Sequence, residues 1–250
     1  MYRSILCAVE DGVARITLNR PQKRNALNAE IIGELKQAFA EVEAEARVVV
    51  LSGVGKDFCS GADLAALERV STAGVLDNID DARHMADLFL QIRNHRRPVI
   101  AAVEGRALAG GCGLATACDI VLASGNAQFG YPEVNIGFIP AMVMAILRRA
   151  VSERAAFELI VSGETITATR AVELGVVQQV FPADTFSAGV TAYASKLSKK
   201  SASALSLSKR LLYHMDSMGF EAALEAGVQA NAIARMTGDC RQGVQRFLKK

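Results

Sequence analysis

One carboxylate and two glycine turns are the parts of this chain best suited to chemistry. Glu133 stands in FGYPEVNIGF (129–138). Pro132 pushes the residue before it into extended backbone and removes one N–H donor. Phe129, Tyr131, Val134, Ile136 and Phe138 are its neighbours in sequence. Burial among such side chains raises a carboxyl pKa toward the range useful for proton transfer. The competing reading is an exposed glutamate at a loop edge. Gly61 precedes Ala62 and Asp63 at a helix start, and Gly110-Gly111 opens a helix running through Leu114 and Ala115. A helix N-terminus presents unpaired N–H groups and the positive end of its dipole. Glycine removes the side chain that would keep a ligand from that backbone. Two such turns aimed at one point make a pair of donors for a developing oxyanion. Close packing of strand on helix also calls for glycine, so residue types alone leave both readings open.

Other chemistries lack their residues. No GxxxxGK[ST] occurs, since GVGKD (53–57) has neither the spacing nor the hydroxyl. No GxGxxG follows a strand and no GxSxG elbow is present, which removes the dinucleotide and α/β-hydrolase signatures. His84, His95 and His214 are too far apart to form an i, i+4 metal pair. Cys112 lies beside the second glycine turn, but no histidine base accompanies it, and it reads as a small buried residue.

The elements that must hold these residues follow a mixed pattern. Residues 3–18 read as a hairpin turning at Asp11-Gly12. A helix starts after Asn28, with Ile31, Ile32, Leu35, Phe39 and Val42 on one face. RVVVLSG (47–53), PVIAAVEG (98–105) and IVLAS (120–124) are short continuous apolar runs, as expected of strands covered on both faces. Helices are expected from about Asp63, over 75–95, and from Ser152 through Ile160. A short helix ends at Gly175, and VVQQVFP (176–182) is one more strand. Beyond Asp184 the pattern is helical only: about 184–199, 202–216, 220–236 and 240–250. The fold class is therefore α/β with a late all-helical part.

At 250 residues the chain suits one large domain, or a core with a smaller appendage. Its 28 basic and 26 acidic residues nearly balance, which argues against bulk binding to nucleic acid. The locally basic RQGVQRFLKK end reads either as a solvated helix terminus or as a contact for phosphates. Five cysteines, an odd number without a CxxC pair, suit a reducing cytoplasm and no zinc site. No signal peptide is expected. The most apolar stretch, 98–124, carries Glu104, Arg106 and Asp119, which makes it a poor membrane span.

NRPQKRNALN (19–28), GVGKDFCSGADL (53–64), AAVEGRALAGGCGLATACDIVLAS (101–124), FGYPEVNIGFIP (129–140) and SGETITATRAVELGVVQQVFP (162–182) resemble, in order and spacing, the signature blocks of the enoyl-CoA hydratase/isomerase (crotonase) family. The resemblance implies a superhelix of ββα-type repeats. It divides the chain into an acyl-CoA-binding core (1–190) and a C-terminal helical oligomerisation module (191–250) that builds homotrimers or homohexamers. It implies an acyl-CoA thioester as substrate, with no cofactor beyond the coenzyme A that substrate carries. By the same resemblance, the Ala62 and Gly110 amides form an oxyanion hole, and Glu133 is the second of the two hydratase glutamates. Arg24, Ser60, Gly61, Asp63, Leu64, Gly111 and Pro132 belong to the substrate-binding region. Phe247 and Lys250 reach a neighbouring subunit's coenzyme A.

Two departures stand out. Gly113 occupies the position of the first hydratase glutamate, and Ala141 to Met144 replace a glycine-rich stretch with bulkier apolar residues. Three readings follow: reversible hydration of an enoyl-CoA, double-bond (Δ3–Δ2) isomerisation by a single glutamate, and a non-catalytic scaffold.

Overall fold

The computed structural model describes residues 2–249. Strands β1 (Ile5–Glu10) and β2 (Val13–Leu18) pair antiparallel, with Asp11 and Gly12 at positive φ in the turn. The sequence asked for this hairpin, and Asp-Gly supplies its geometry. Asn28 then caps α1 (Ala29–Val42), its side chain accepting from the Ile31 N–H. The five residues expected on the apolar face of α1 are all buried.

The chain continues through β3 (Val48–Gly53), α2 (Leu64–Thr72), α3 (Val75–Asn94), β4 (Val99–Val103), β5 (Arg106–Leu108), α4 (Gly110–Ala117), β6 (Ile120–Ser124) and β7 (Gln128–Gly130). A 3₁₀ turn at Pro132–Ile136 follows, then α5 (Ala141–Ala150), α6 (Glu153–Ser162), β8 (Thr165–Thr167), α7 (Ala168–Leu174), β9 (Gln179–Phe181) and α8 (Phe186–Ser198). Three further helices complete it: α9 (Ala202–His214), α10 (Phe220–Met236) and α11 (Gly238–Leu248).

The main sheet has the order β1-β2-β3-β4-β6-β9, parallel except for the opening hairpin. Alternate residues of β3 feed two cores. Val49 and Leu51 pack with α1, α3 and α4, whereas Val48 and Val50 join Phe186, Val190 and Ala194 of α8. Both faces are dry, which is why these strands read as unbroken apolar runs. A second sheet, β5-β7-β8, lies outside the expectations from sequence. Its strands are three residues each, too short to show an alternation, and β8 falls in the gap between two expected helices.

The late helices differ in kind from α8. None of α9, α10 or α11 has a buried residue. Of these, α9 meets the core through polar groups: Lys209 Nζ donates to Asp119 at 2.8 Å and to the Ile92 and Arg97 carbonyls, and the Tyr213 hydroxyl donates to Asp119. Phe220, Leu224, Val228, Ile233, Met236, Val244, Phe247 and Leu248 are left exposed.

Candidate active site

The two glycine turns meet. Gly61 adopts φ +92°, and a Cβ placed on it would lie 2.8 Å from Ala109 Cβ and 3.6 Å from the Gly110 nitrogen. Leu27 clamps the first turn, donating to the Gly61 carbonyl at 2.7 Å and accepting from the Asp63 N–H at 2.8 Å. That pairing turns the intervening Ala62 N–H to the opposite side. In the second turn the Ala109 N–H is spent on the Gly130 carbonyl at 2.9 Å, and Gly110 begins α4. Among the described residues, neither the Ala62 nor the Gly110 N–H donates to an acceptor. Ala109 holds φ 51°, ψ −130°. A side-chain-bearing residue there stores about 1–3 kcal/mol of strain, which the surrounding bonds must sustain. Sequence patterning carried no sign of it.

The glycines divide by role. A Cβ on Gly110 would make only ordinary contacts, with Met85 at 3.5 Å and Leu27 at 3.8 Å. A Cβ on Gly111 would stand 2.3 Å from the Cys59 carbonyl oxygen. Gly110 thus leaves backbone open, while Gly111 serves close packing.

The residues expected around the first turn gather there with distinct parts to play. The Arg24 carbonyl accepts from the Ser60 N–H at 3.1 Å, and Arg24 itself is exposed at φ 51°. Asp63 caps α2 and bonds Arg20 at 2.8 Å, whose guanidinium holds the carboxyl below its usual range. It is a brace. Leu64 projects into solvent, 82% exposed. Pro132 opens the 3₁₀ turn. Phe247 lies on α11, which packs on α9 and α10, and is 78% exposed. The chain does not bring it to its own glycine turns. Lys250 lies outside the described residues.

Two braces were not read from the sequence. Asn25 is fully buried, donating to the Val54 and Asp57 carbonyls and accepting from the Arg20 N–H. Asp57 receives a two-pronged bond from Arg106 at 2.7 and 3.0 Å, which lowers its pKa. Together they pin the first half of the 53–62 loop. A buried loop asparagine has no periodicity to reveal it.

Glu133 is 9% exposed, and its Oε2 has no hydrogen-bond partner. Burial raises its pKa above the usual glutamate value. The neighbours differ in part from those expected. Phe129 and Tyr131 are buried, but Ile136 and Phe138 are 70% and 49% exposed and do not enclose the carboxylate. Its charge contributes, after desolvation, to raising the pKa values of buried Cys112 and Tyr131. Cys112 is a fully buried thiol whose pKa is pushed up to about 12, chiefly by desolvation, which makes it inert.

The space above Gly113 is filled. A Cβ there would fall 2.4 Å from Val143 Cγ2 and 3.2 Å from the tip of Phe89. The bulk introduced by the 141–144 segment therefore occupies the position vacated at 113. With two N–H donors open to a carbonyl oxygen and one desolvated carboxylate three residues beyond the Gly130 carbonyl that holds Ala109, the residues suit holding an enolate and moving a proton.

Comparison with known proteins gives a family model described as enoyl-CoA hydratase/isomerase, matching residues 8–250. A Thermus thermophilus protein bearing an enoyl-CoA hydratase name is 41% identical over 97% of each chain. The 2,3-dehydroadipyl-CoA hydratase of Escherichia coli is 34% identical over 98% of this chain and 96% of its own. The crystal structure of a Mycobacterium smegmatis enoyl-CoA hydratase superposes with a TM-score of 0.94, at 32% identity, over 99% of this chain and 96% of that one.

Proposed function

The chain belongs to the enoyl-CoA hydratase/isomerase family and has the crotonase fold, and from that premise we propose that it is an enzyme catalysing the reversible hydration of an enoyl-CoA. The observation that carries the reading is the pair of unspent N–H groups, at Ala62 and Gly110, on abutting turns, with a buried carboxylate on the 3₁₀ turn that follows the Gly130 anchor of Ala109. The thioester carbonyl accepts from both amides. Glu133, as carboxylate, takes a proton from water while the water oxygen bonds to C3. The C2–C3 π electrons move to give the enolate, whose oxygen the two amides stabilise. The enolate then collapses and C2 takes the proton from the Glu133 carboxylic acid. One carboxylate acts first as base and then as acid, so the steps need no group at position 113 and no cofactor beyond the substrate's own coenzyme A.

Arg24, Ser60, Gly61, Asp63 and Leu64 shape the mouth for coenzyme A in this reading, with Gly111 and Pro132 fixing the turns behind it. Phe247 and Lys250 serve a neighbouring subunit. The exposed apolar side chains of α10 and α11 support assembly as a trimer or hexamer, built from a core (1–190) and a helical module (191–250), with α8 crossing that boundary onto the sheet. Five free thiols support a reducing, cytoplasmic setting. No helix among the described residues is long and apolar enough to cross a membrane.

The test supplies 2-enoyl-CoA and, separately, 3-enoyl-CoA in ¹⁸O-labelled water. Label at C3 from the 2-enoyl thioester is expected, together with its loss in Glu133→Gln. Migration of the double bond without label, or full activity in Glu133→Gln, would overturn the reading.

A further inference from the structure

Among the described residues, Tyr131 is the largest side chain that is fully buried. It stands just before Pro132-Glu133. A phenylalanine would fill the same space without taking a hydroxyl out of water, a transfer that is unfavourable unless the hydroxyl finds a partner. The partner lies on α4. The Tyr131 hydroxyl stands 3.4 Å from Thr116 Oγ1, at the long end for such a bond. Thr116 has one proton and directs it to the Cys112 and Gly113 carbonyls, at 3.0 and 3.2 Å. Its oxygen is left to accept, so the tyrosine hydroxyl donates. The Cys112 thiol, also on α4, interacts with the same hydroxyl.

This contact falls where the backbone has let go of α4. The Gly130 carbonyl accepts from the Ala109 N–H, and that is the last backbone bond to the helix start before Glu133. Pro132 has no N–H to give. Beyond it, the Gly137 and Phe138 N–H groups donate within the 3₁₀ turn, and Asn135 donates away from α4, to the Gly163 carbonyl. Of the side-chain hydrogen bonds made by 131–138 among the described residues, that of Tyr131 alone reaches α4. One end of this link leads to the Glu133 carboxylate and the other to the helix that begins with the Gly110 N–H.

We propose that Tyr131 is a positioning residue for proton transfer, its hydroxyl holding the turn that carries Glu133 in register with α4 through Thr116. The proposal rests on Glu133 and the two amides acting on a thioester, as in the hydration reading. Tyr131 is too deeply buried to touch substrate and acts through Glu133 alone.

The experiment uses butyryl-CoA, a saturated thioester that cannot be hydrated. Exchange of its α-protons in deuterated water needs a base and a stabilised enolate, but no addition of water. Tyr131→Phe should slow exchange at saturating thioester by about three- to tenfold, the scale of one neutral hydrogen bond. Its Kd for butyryl-CoA should hold. The infrared C=O stretch of the bound thioester should keep its wild-type downshift, because the amides are fixed by other bonds; that also reports a folded site. Thr116→Val should slow exchange to the same extent, and the double variant should be no slower than either single one, since all three lack the same bond. Wild-type exchange in Tyr131→Phe would overturn the proposal and leave hydration standing. So would full additivity of the two changes, or a lost C=O downshift, which marks general disruption. No exchange in the wild type would overturn it together with Glu133 as the base. Tyrosine-dependent exchange without any ¹⁸O incorporation from labelled water into 2-enoyl-CoA would sink hydration and keep the positioning role.

Discussion

At the scale of single residues, Glu133 and Gly113 carry opposite lessons. Glu133 is buried with an unbonded oxygen, and desolvation favours its neutral form. The proposed first step needs the carboxylate. Activity in kcat/KM should therefore fall as pH drops through a pKa above that of an ordinary glutamate, about 4.3, with the higher side of that limb active. An acid limb at or below the ordinary value would contradict the burial argument. Gly113 cannot simply be restored to a glutamate, because Val143 is β-branched in a helix and has little rotamer freedom to move aside. Gly113→Glu alone should destabilise the protein by about 1–3 kcal/mol through overpacking. Adding Val143→Ala should recover part of that loss, giving a coupling of about 0.5–3 kcal/mol in denaturant titrations. Strict additivity would mean that the two positions do not share the space.

At the scale of elements, α4 connects fold and chemistry. Its first residue offers the Gly110 N–H, and proline is tolerated at that first helical position because its missing donor has no intrahelical partner. Gly110 also has open space around it, unlike Gly111. Gly110→Pro, checked for folding by circular dichroism because Ala109 before it holds φ 51°, should lose about 10²–10³ in kcat, the usual cost of one oxyanion donor. Gly111→Ala should instead lower the melting temperature, since its methyl meets the Cys59 backbone. Near-normal turnover in the folded proline variant would remove Gly110 from the oxyanion hole. Much of this was legible in the sequence. Asn28, Asp63, Ser152 and Gly175 fixed helix ends through capping chemistry, and the sheet strands announced themselves by being apolar on both faces. Long-range events were not legible. The β5-β7-β8 sheet forms from three-residue pieces, Asn25 bonds across a loop, and Val143 meets Gly113 from a different helix. Local pattern has no access to such meetings. The glycine turns show the boundary well: composition left oxyanion binding and close packing both open, with packing the more ordinary reading, and three-dimensional neighbours separate the open backbone at Gly110 from the close packing at Gly111.

At the scale of the whole molecule, the C-terminal helices are tied to the core by polar groups of α9 and carry a broad apolar surface. Light scattering at micromolar concentration should return a trimer or hexamer, and a monomer would refute the assembly. The same surface makes stability a matter of mass action. In the proposed assembly, helices without a buried residue of their own gain their apolar burial from other copies, and association then adds to the free energy of the folded state. The melting temperature should rise with protein concentration, and dilution should loosen α9 to α11 before the sheet melts. Hydrogen exchange in α10 would then quicken on dilution while exchange in β3 and β4 held steady. In such a molecule the amount present is itself a determinant of the fold, and a dilute assay and a concentrated cell need not contain the same protein.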